Sequence, residues 1–245
     1  MTQAYTTSIF NGSVGLIVLA LLLGLLTVQP CFSQATKAQQ QSPLPTQDVL
    51  EAEQRLAELG YWTGPVDGTF DSASRHALIA FQKVERRACT GRLTPDELKA
   101  LRAAKPAVPL ESGYFHIEVD IRRQVLFVVE SSGVVSKILP VSSGSGKPFT
   151  SEGWTRRAVT PTGRFRVSHK IAGWRKSPLG LLYYPVYFLS GIAIHGNPSV
   201  PMVPASHGCV RIPMFAAKPF SERVPVGTTV LVHDGSVAQP EAETP

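Results

Sequence analysis

The sequence predicts an α+β protein, a small three-helix domain followed by a mostly β domain. Three observations carry this. Between residues 47 and 104 apolar side chains recur at three- and four-residue spacing, the signature of amphipathic helices. From residue 112 onward, short runs rich in β-branched and aromatic residues alternate with Gly and Pro turns. A Pro-rich stretch, Lys105-Pro106-Ala107-Val108-Pro109, separates the two regimes. At 245 residues, 43% hydrophobic and 17% charged, the chain has room for two modest folded domains and is too apolar for disorder.

No charged side chain precedes Lys37, and Val14 to Val28 is apolar apart from Gly and Thr. That length suits a signal-peptide core and is short for a bilayer-spanning helix of roughly 20 residues. Small residues at Ser33 and Ala35 place a cleavage site after Ala35, although a leader without Lys or Arg also fits an uncleaved membrane anchor through residues 14–28. Either way the protein is expected to be exported, to the periplasm or cell wall. The expected order is a leader at 1–35, a Gln/Ser/Pro linker at 36–46, the helical domain at 47–104, a linker at 105–111, the β domain at 112–234 and a disordered tail at 235–245.

Within the helical domain, Val49, Ala52, Leu56 and Leu59 share one helix face, and Gly60 stands at its C-terminus. Gly64-Pro65-Val66-Asp67-Gly68 is turn chemistry, Pro presetting φ and Asp-Gly tolerating left-handed geometry. A second helix starts near Ser72 with Ala73, Ala77, Ala80, Phe81 and Val84 facing inward. Thr94-Pro95-Asp96-Glu97 opens a third, with Thr94 as N-cap and Glu97 completing a capping box. In the second domain Tyr114–Asp120, Gln124–Val129, Val134–Val141, Phe165–Ser168 and Thr229–Val232 read as strands, and Ile192-Ala193-Ile194 as another. Ser142–Gly146 reads as a flexible Ser/Gly loop, and Trp154–Pro161 as a second loop.

The chemistry concentrates in Ser206-His207-Gly208-Cys209-Val210-Arg211, with His195 upstream. Between Ile192 and Ile212 there is no Asp or Glu, and Arg211 is the one permanent charge. A cysteine needs help to ionise, since its unperturbed pKa is near ~8.5; an imidazole and a cation both supply it. Cys209 is the candidate nucleophile. With no carboxylate nearby, a backbone carbonyl such as that of Gly196, or the Asn197 amide, must fix the His195 tautomer. Gly208 lets backbone N–H groups turn toward a developing oxyanion, with the Cys209 N–H as second donor. Ser206 holds the turn and His207 shapes it, though exchanged roles for the two imidazoles stay open. Arg211 either stabilises the thiolate or clamps a substrate carboxylate. Tyr183, Tyr184 and Tyr187 are candidates for a substrate groove, with core packing the default for at least two. A zinc site of His195, His207 and Cys209 is the competing reading, but the spacing is not that of CxxC or HExxH ligand sets.

The run Ile194-His195-Gly196 followed by Ser206-His207-Gly208-Cys209-Val210-Arg211 resembles the active-site signature of the L,D-transpeptidases, the YkuD-type cell-wall enzymes. Ala158-Val159-Thr160-Pro161-Thr162-Gly163-Arg164-Phe165 and Gly227-Thr228-Thr229-Val230 resemble further landmarks of that family, and the likeness spans about Ser112 to Asp234. The fourteen-residue step from His195 to Cys209 is at the short end for the family. Leu59-Gly60-Tyr61-Trp62, Gly64–Phe70 and Ala80-Phe81-Gln82 resemble a peptidoglycan-binding module, with Tyr61, Trp62 and Asp67 as possible contacts. The resemblance implies Cys209 as nucleophile, His195 as base, peptidoglycan stem peptides as substrate, the cell wall as partner and no cofactor. It also implies acylation by carbapenem-type β-lactams. Hydrolysis of the same thioester would make an L,D-carboxypeptidase, and a non-catalytic wall-binding protein is the third possibility.

A net charge of +6 favours polyanionic partners. No RNP-type aromatic pattern, zinc-finger spacing or basic helix points to nucleic acid. Outside the leader, Cys89 and Cys209 are too few for a disulfide framework. Cys89 has no His near it and reads as a small packing residue.

Overall fold

A computed structural model describes residues 44–151 and 153–235. The expected leader, anchor segment 14–28 and most of the first linker and the tail lie outside the described residues. Among the described residues no helix is long and apolar enough to cross a membrane.

Three helices come first: α1 (Thr46–Glu58), α2 (Ser72–Val84) and α3 (Pro95–Ala103). Helix α1 buries Val49, Ala52 and Leu56, the face its spacing predicts. It also buries Glu53, whose carboxylate accepts from the Asp67 and Gly68 N–H groups and from Ser74 Oγ. The Asp-Gly turn is therefore fastened by an acid hidden in a helix, a charge the apolar pattern passes over. Asp71 caps α2 through the Ala73 and Ser74 N–H groups. Thr94 caps α3 through the Glu97 N–H, but the reciprocal half of the capping box is not made. The Glu97 side chain instead pairs with Arg87 at 3.1 Å.

The remaining elements are β1 (His116–Asp120), β2 (Val125–Val129), β3 (Val135–Pro140), β4 (Pro148–Ser151), β5 (Trp154–Arg157), β6 (Gly163–Arg166), β7 (His169–Lys170), β8 (Trp174–Ser177), β9 (Gly180–Leu189), β10 (Ile192–Gly196), β11 (Val210–Ile212), α4 (Met214–Arg223) and β12 (Thr229–His233). One sheet runs β3-β2-β1-β12-β6; a second runs β11-β10-β9-β7, with β8 added along β9. The pairs β1/β12 and β10/β11 are parallel, and the other pairs of these two sheets are antiparallel. Trp154–Arg157, expected as loop, is a strand: it forms an exposed hairpin with β4, and a run of Trp-Thr-Arg-Arg carries too little apolar alternation to announce it.

The two sheets and α4 share one core. Leu126 and Val128 of β2, Val230 and Val232 of β12, Ile194 of β10 and Phe220 of α4 all belong to it. Val125, Phe127 and Val129, on the opposite face of β2, join Leu56, Phe81 and Leu101 of the helices. This is why Val125–Val129 is apolar at every position: a strand covered on both faces has no solvent side to alternate with. The three helices thus complete their core against the first sheet. Backbone bonds reinforce the contact, Trp62 N–H to the Ile138 carbonyl at 3.1 Å and Ile138 N–H to the Gly60 carbonyl at 2.8 Å. Lys83, 6% exposed, donates to the carbonyls of Gln124 and Val141.

Candidate active site

Strand alternation assembles the site. In the β10/β11 ladder Ile194 faces Val210 and His195 faces Arg211. Ile194, Val210 and Ile212 point into the core, so His195 and Arg211 share the other face. Cys209 lies two residues before Arg211, where the same alternation directs it to that face, one step along from His195. The register sets His195 and Arg211 side by side, with Cys209 in the residue immediately before β11.

His195 is 4% exposed, and its Nδ1 lies 3.0 Å from the Gly196 carbonyl. That carbonyl can only accept, so Nδ1 carries the hydrogen and Nε2 is left with a lone pair. Burial pushes the imidazole pKa down to about 4, the nearby Arg211 charge adding to the fall and the Gly196 bond opposing it. His195 is neutral at pH 7. Burial raises the Cys209 thiol, against a backbone hydrogen bond from Ala193 and the Arg211 charge, which both favour thiolate. The thiol is partly exposed and lies 3.8 Å from the Gly191 carbonyl. Arg211 makes no side-chain hydrogen bond or ion pair among the described residues, so its charge is uncommitted.

The turn before Cys209 is tightly fixed. Ser206 Oγ donates to the Cys209 carbonyl and accepts the Gly208 N–H at 3.0 Å. The Gly208 N–H, which the sequence offers to an oxyanion, is thus already spent. Gly208 has φ +135°, and a Cβ there would come 2.9 Å from the Val159 carbonyl oxygen, so glycine is needed for shape and space. Gly196 is equally confined: a Cβ would meet Ala217 at 2.6 Å, with Tyr183 and Met214 close behind. His207 is exposed, its ring 4.8 Å from that of Phe149 on the β4/β5 hairpin.

Residues outside the motif hold this turn. Thr160, buried, donates to the Gly208 carbonyl at 2.7 Å and accepts the Gly144 N–H at 2.8 Å. The Ser143 carbonyl accepts the N–H groups of Ala205 and Ser206, and Ser143 is itself gripped by the Gln124 amide at its N–H and Oγ. Ser142–Gly146, expected as a flexible loop, is therefore pinned, with backbone bridges from Ser142 to Arg211 and from Gly144 to Ser206. Nothing local marks Gln124, Ser143 or Phe149; each acts across a long sequence separation. Tyr183 and Tyr184 pack against the main core, and Tyr187 stacks on His169 with centroids 4.4 Å apart. Tyr61, buried and edge-on to Phe81, presents no surface, while Trp62 is partly buried. No three His, Cys, Asp or Glu side chains gather closely enough among the described residues to hold a metal ion.

Residues 114–232 match the family model YkuD, the L,D-transpeptidase catalytic domain, and residues 45–101 match PG_binding_1, a peptidoglycan binding domain. The crystal structure of an L,D-transpeptidase from Xylanimonas cellulosilytica DSM 15894 is 38% identical, covering 78% of this chain and 95% of that one at a TM-score of 0.73. The chain belongs to the L,D-transpeptidase family. Two further L,D-transpeptidase structures are more distant. One from Stackebrandtia nassauensis is 22% identical over 75% of this chain and 89% of its own, with TM-score 0.44. One from Mycobacterium smegmatis is 21% identical over 49% and 58%, with TM-score 0.40. No curated protein matches. This L,D-transpeptidase family member thus joins a segment matching the peptidoglycan-binding family model to an L,D-transpeptidase catalytic domain.

Proposed function

We propose that the protein is an exported, cysteine-dependent L,D-transpeptidase that cross-links peptidoglycan stem peptides through a thioester on Cys209. What supports this reading is the face of β10 and β11 that carries His195 and Arg211, with Cys209 immediately before β11, and the Gly196 carbonyl bond that leaves His195 Nε2 free to accept a proton. The thiol proton passes to Nε2 as sulfur attacks the carbonyl joining the L-centre of the donor's diamino acid to its terminal D-residue. The C–N bond breaks, the D-amino acid leaves with the proton from His195, and an acyl thioester remains. An amine of a second stem then attacks that thioester; its proton returns through His195 to sulfur, and the cross-link forms. With the Gly208 N–H bound to Ser206, the Cys209 N–H is the donor proposed for the oxyanion, and Arg211 favours the thiolate. No cofactor enters the scheme. Carbapenem-type β-lactams should acylate the same sulfur.

Intact-protein mass spectrometry with a tetrapeptide-bearing disaccharide, wild type beside Cys209→Ala, tests this. The expected result is an acyl adduct and loss of the D-residue with formation of cross-linked dimers, in wild type alone. Trimmed monomers without dimers would instead identify an L,D-carboxypeptidase. Turnover by Cys209→Ala would overturn the cysteine mechanism.

A further inference from the structure

A cleft of about 700 Å3 lies away from His195 and Cys209, between the end of α2, the β1–β2 turn, the linker around Leu110 and the loop Met202–Pro204. Five cationic side chains line it: Lys83, Arg86, Arg87, Arg122 and Arg123. Its two carboxylates are committed. Asp120 is bound to Arg123 at 2.6 Å, and both oxygens of Glu118 are taken by His116 and by the N–H groups of Leu110 and Glu111. Arg87 is paired to Glu97. Arg86 and Arg122 have no partner among the described residues, so the charge left over in the cleft is positive.

A second observation points the same way. His233, 5% exposed, also lines the cleft. Its Nδ1 accepts the Gly235 N–H at 3.2 Å, which places the hydrogen on Nε2, and Nε2 is buried with no partner among the described residues. A buried donor without an acceptor is destabilising, and an anionic oxygen would relieve it.

We propose that this cleft is a second binding site, taking the carboxylate end of a peptide stem on the Arg86 and Arg122 guanidinium groups and the His233 Nε2–H. The identity of the ligand rests on the wall-polymer reading above. Two features favour a peptide carboxylate. The segment matching the peptidoglycan-binding model supplies Lys83, Arg86, Arg87 and Cys89 to the wall of the cleft. Val108, Leu110, Met202 and Val203 supply an apolar side suited to the methyl and methylene groups of a stem. Arg guanidinium groups bind carboxylates through paired N–H donors. The cleft also abuts the catalytic turn, because Gln124 on its wall grips Ser143 and Ser143 holds Ser206.

Met202 lines the cleft and His195 lies at the candidate active site on β10, so the two sites report separately. The full chain carrying Cys209→Ala, labelled with 13C-methyl methionine and 15N-imidazole histidine, is titrated by NMR with a disaccharide tetrapeptide. The Met202 methyl is expected to shift with saturation. Adding Arg86→Ala and Arg122→Ala, both at exposed positions, should weaken the Met202-reported affinity at least tenfold while the His195 response persists. The same peptide with amidated carboxylates should leave Met202 unmoved. A His195 shift with a silent Met202 would overturn the cleft and leave the proposed function standing. A Met202 shift that survives the arginine changes or the amidation would overturn the carboxylate assignment. Silence at both residues would overturn the cleft and the proposed substrate together.

Discussion

At neutral pH the two central groups rest as a thiol and a neutral imidazole, because burial disfavours the charged form of each. The proposed base is therefore ready without first losing a proton, and its protonation near pH 4 should set the acid limit of turnover. In a Cys89→Ser background, alkylation of Cys209 by iodoacetamide should climb steadily through pH 9 with no plateau near neutrality. Arg211 lowers the pKa of both groups, so Arg211→Gln should raise both. NMR titration of His195 and the pH dependence of alkylation measure the two shifts, and an unchanged pair would refute the assigned influence. Stability follows the same imidazole. With a folded pKa of about 4 against 6.5, the unfolded chain binds more protons between those values, so stability is lost as pH falls through that window, by up to about 3 kcal/mol from this group. Histidine and cysteine were legible in the sequence as a pair; their burial, which reverses the expected thiolate at rest, is a property of the fold.

The Cys209 turn is an element held by other elements, and Thr160 is its main pin. Thr160→Val keeps the volume but removes an acceptor from the Gly144 N–H and a donor from the Gly208 carbonyl, a loss of about 1–3 kcal/mol for each buried group left unpaired. Thermal denaturation should show that loss, and turnover should fall with the nucleophile still present; Thr160→Ser should restore both. Helices were readable here because their apolar period survives single polar exceptions such as Glu53. Strand β10 was readable from Ile192 to Ile194 by alternation, and β2 from its β-branched content. The β4/β5 hairpin was not, since Trp154, Thr155, Arg156 and Arg157 are all exposed and burial left no trace in their order. Neither was the Gln124–Ser143–Ser206 connection, in which each polar residue looks like surface until its distant partner is known.

Across the whole molecule the helices and the first sheet depend on one another. Residues 112–235 alone would expose Val125, Phe127 and Val129, apolar side chains worth roughly 1.5–3 kcal/mol each when buried, and should aggregate where residues 36–235 do not. Light scattering of the two proteins at equal concentration decides it, and a well-behaved fragment would show that the shared core is dispensable. Lys83 gives a finer test of the same contact, since its ammonium spans from α2 to the carbonyls of Gln124 and Val141. Burial lowers its pKa from 10.5 to about 8. Below pH 8 the group is charged in both the folded and unfolded chain, so its contribution is constant there. Between about 8 and 10.5 the unfolded chain binds more protons, and stability from this group rises with pH, by up to about 3 kcal/mol. Lys83→Met removes the titration. The stability difference between wild type and this variant, measured by urea denaturation, should be flat below pH 8 and then shift in favour of wild type as pH rises toward 10. A difference that stays flat over the whole range would mean that Lys83 reaches water and does not bridge the helices to the sheet as a buried cation.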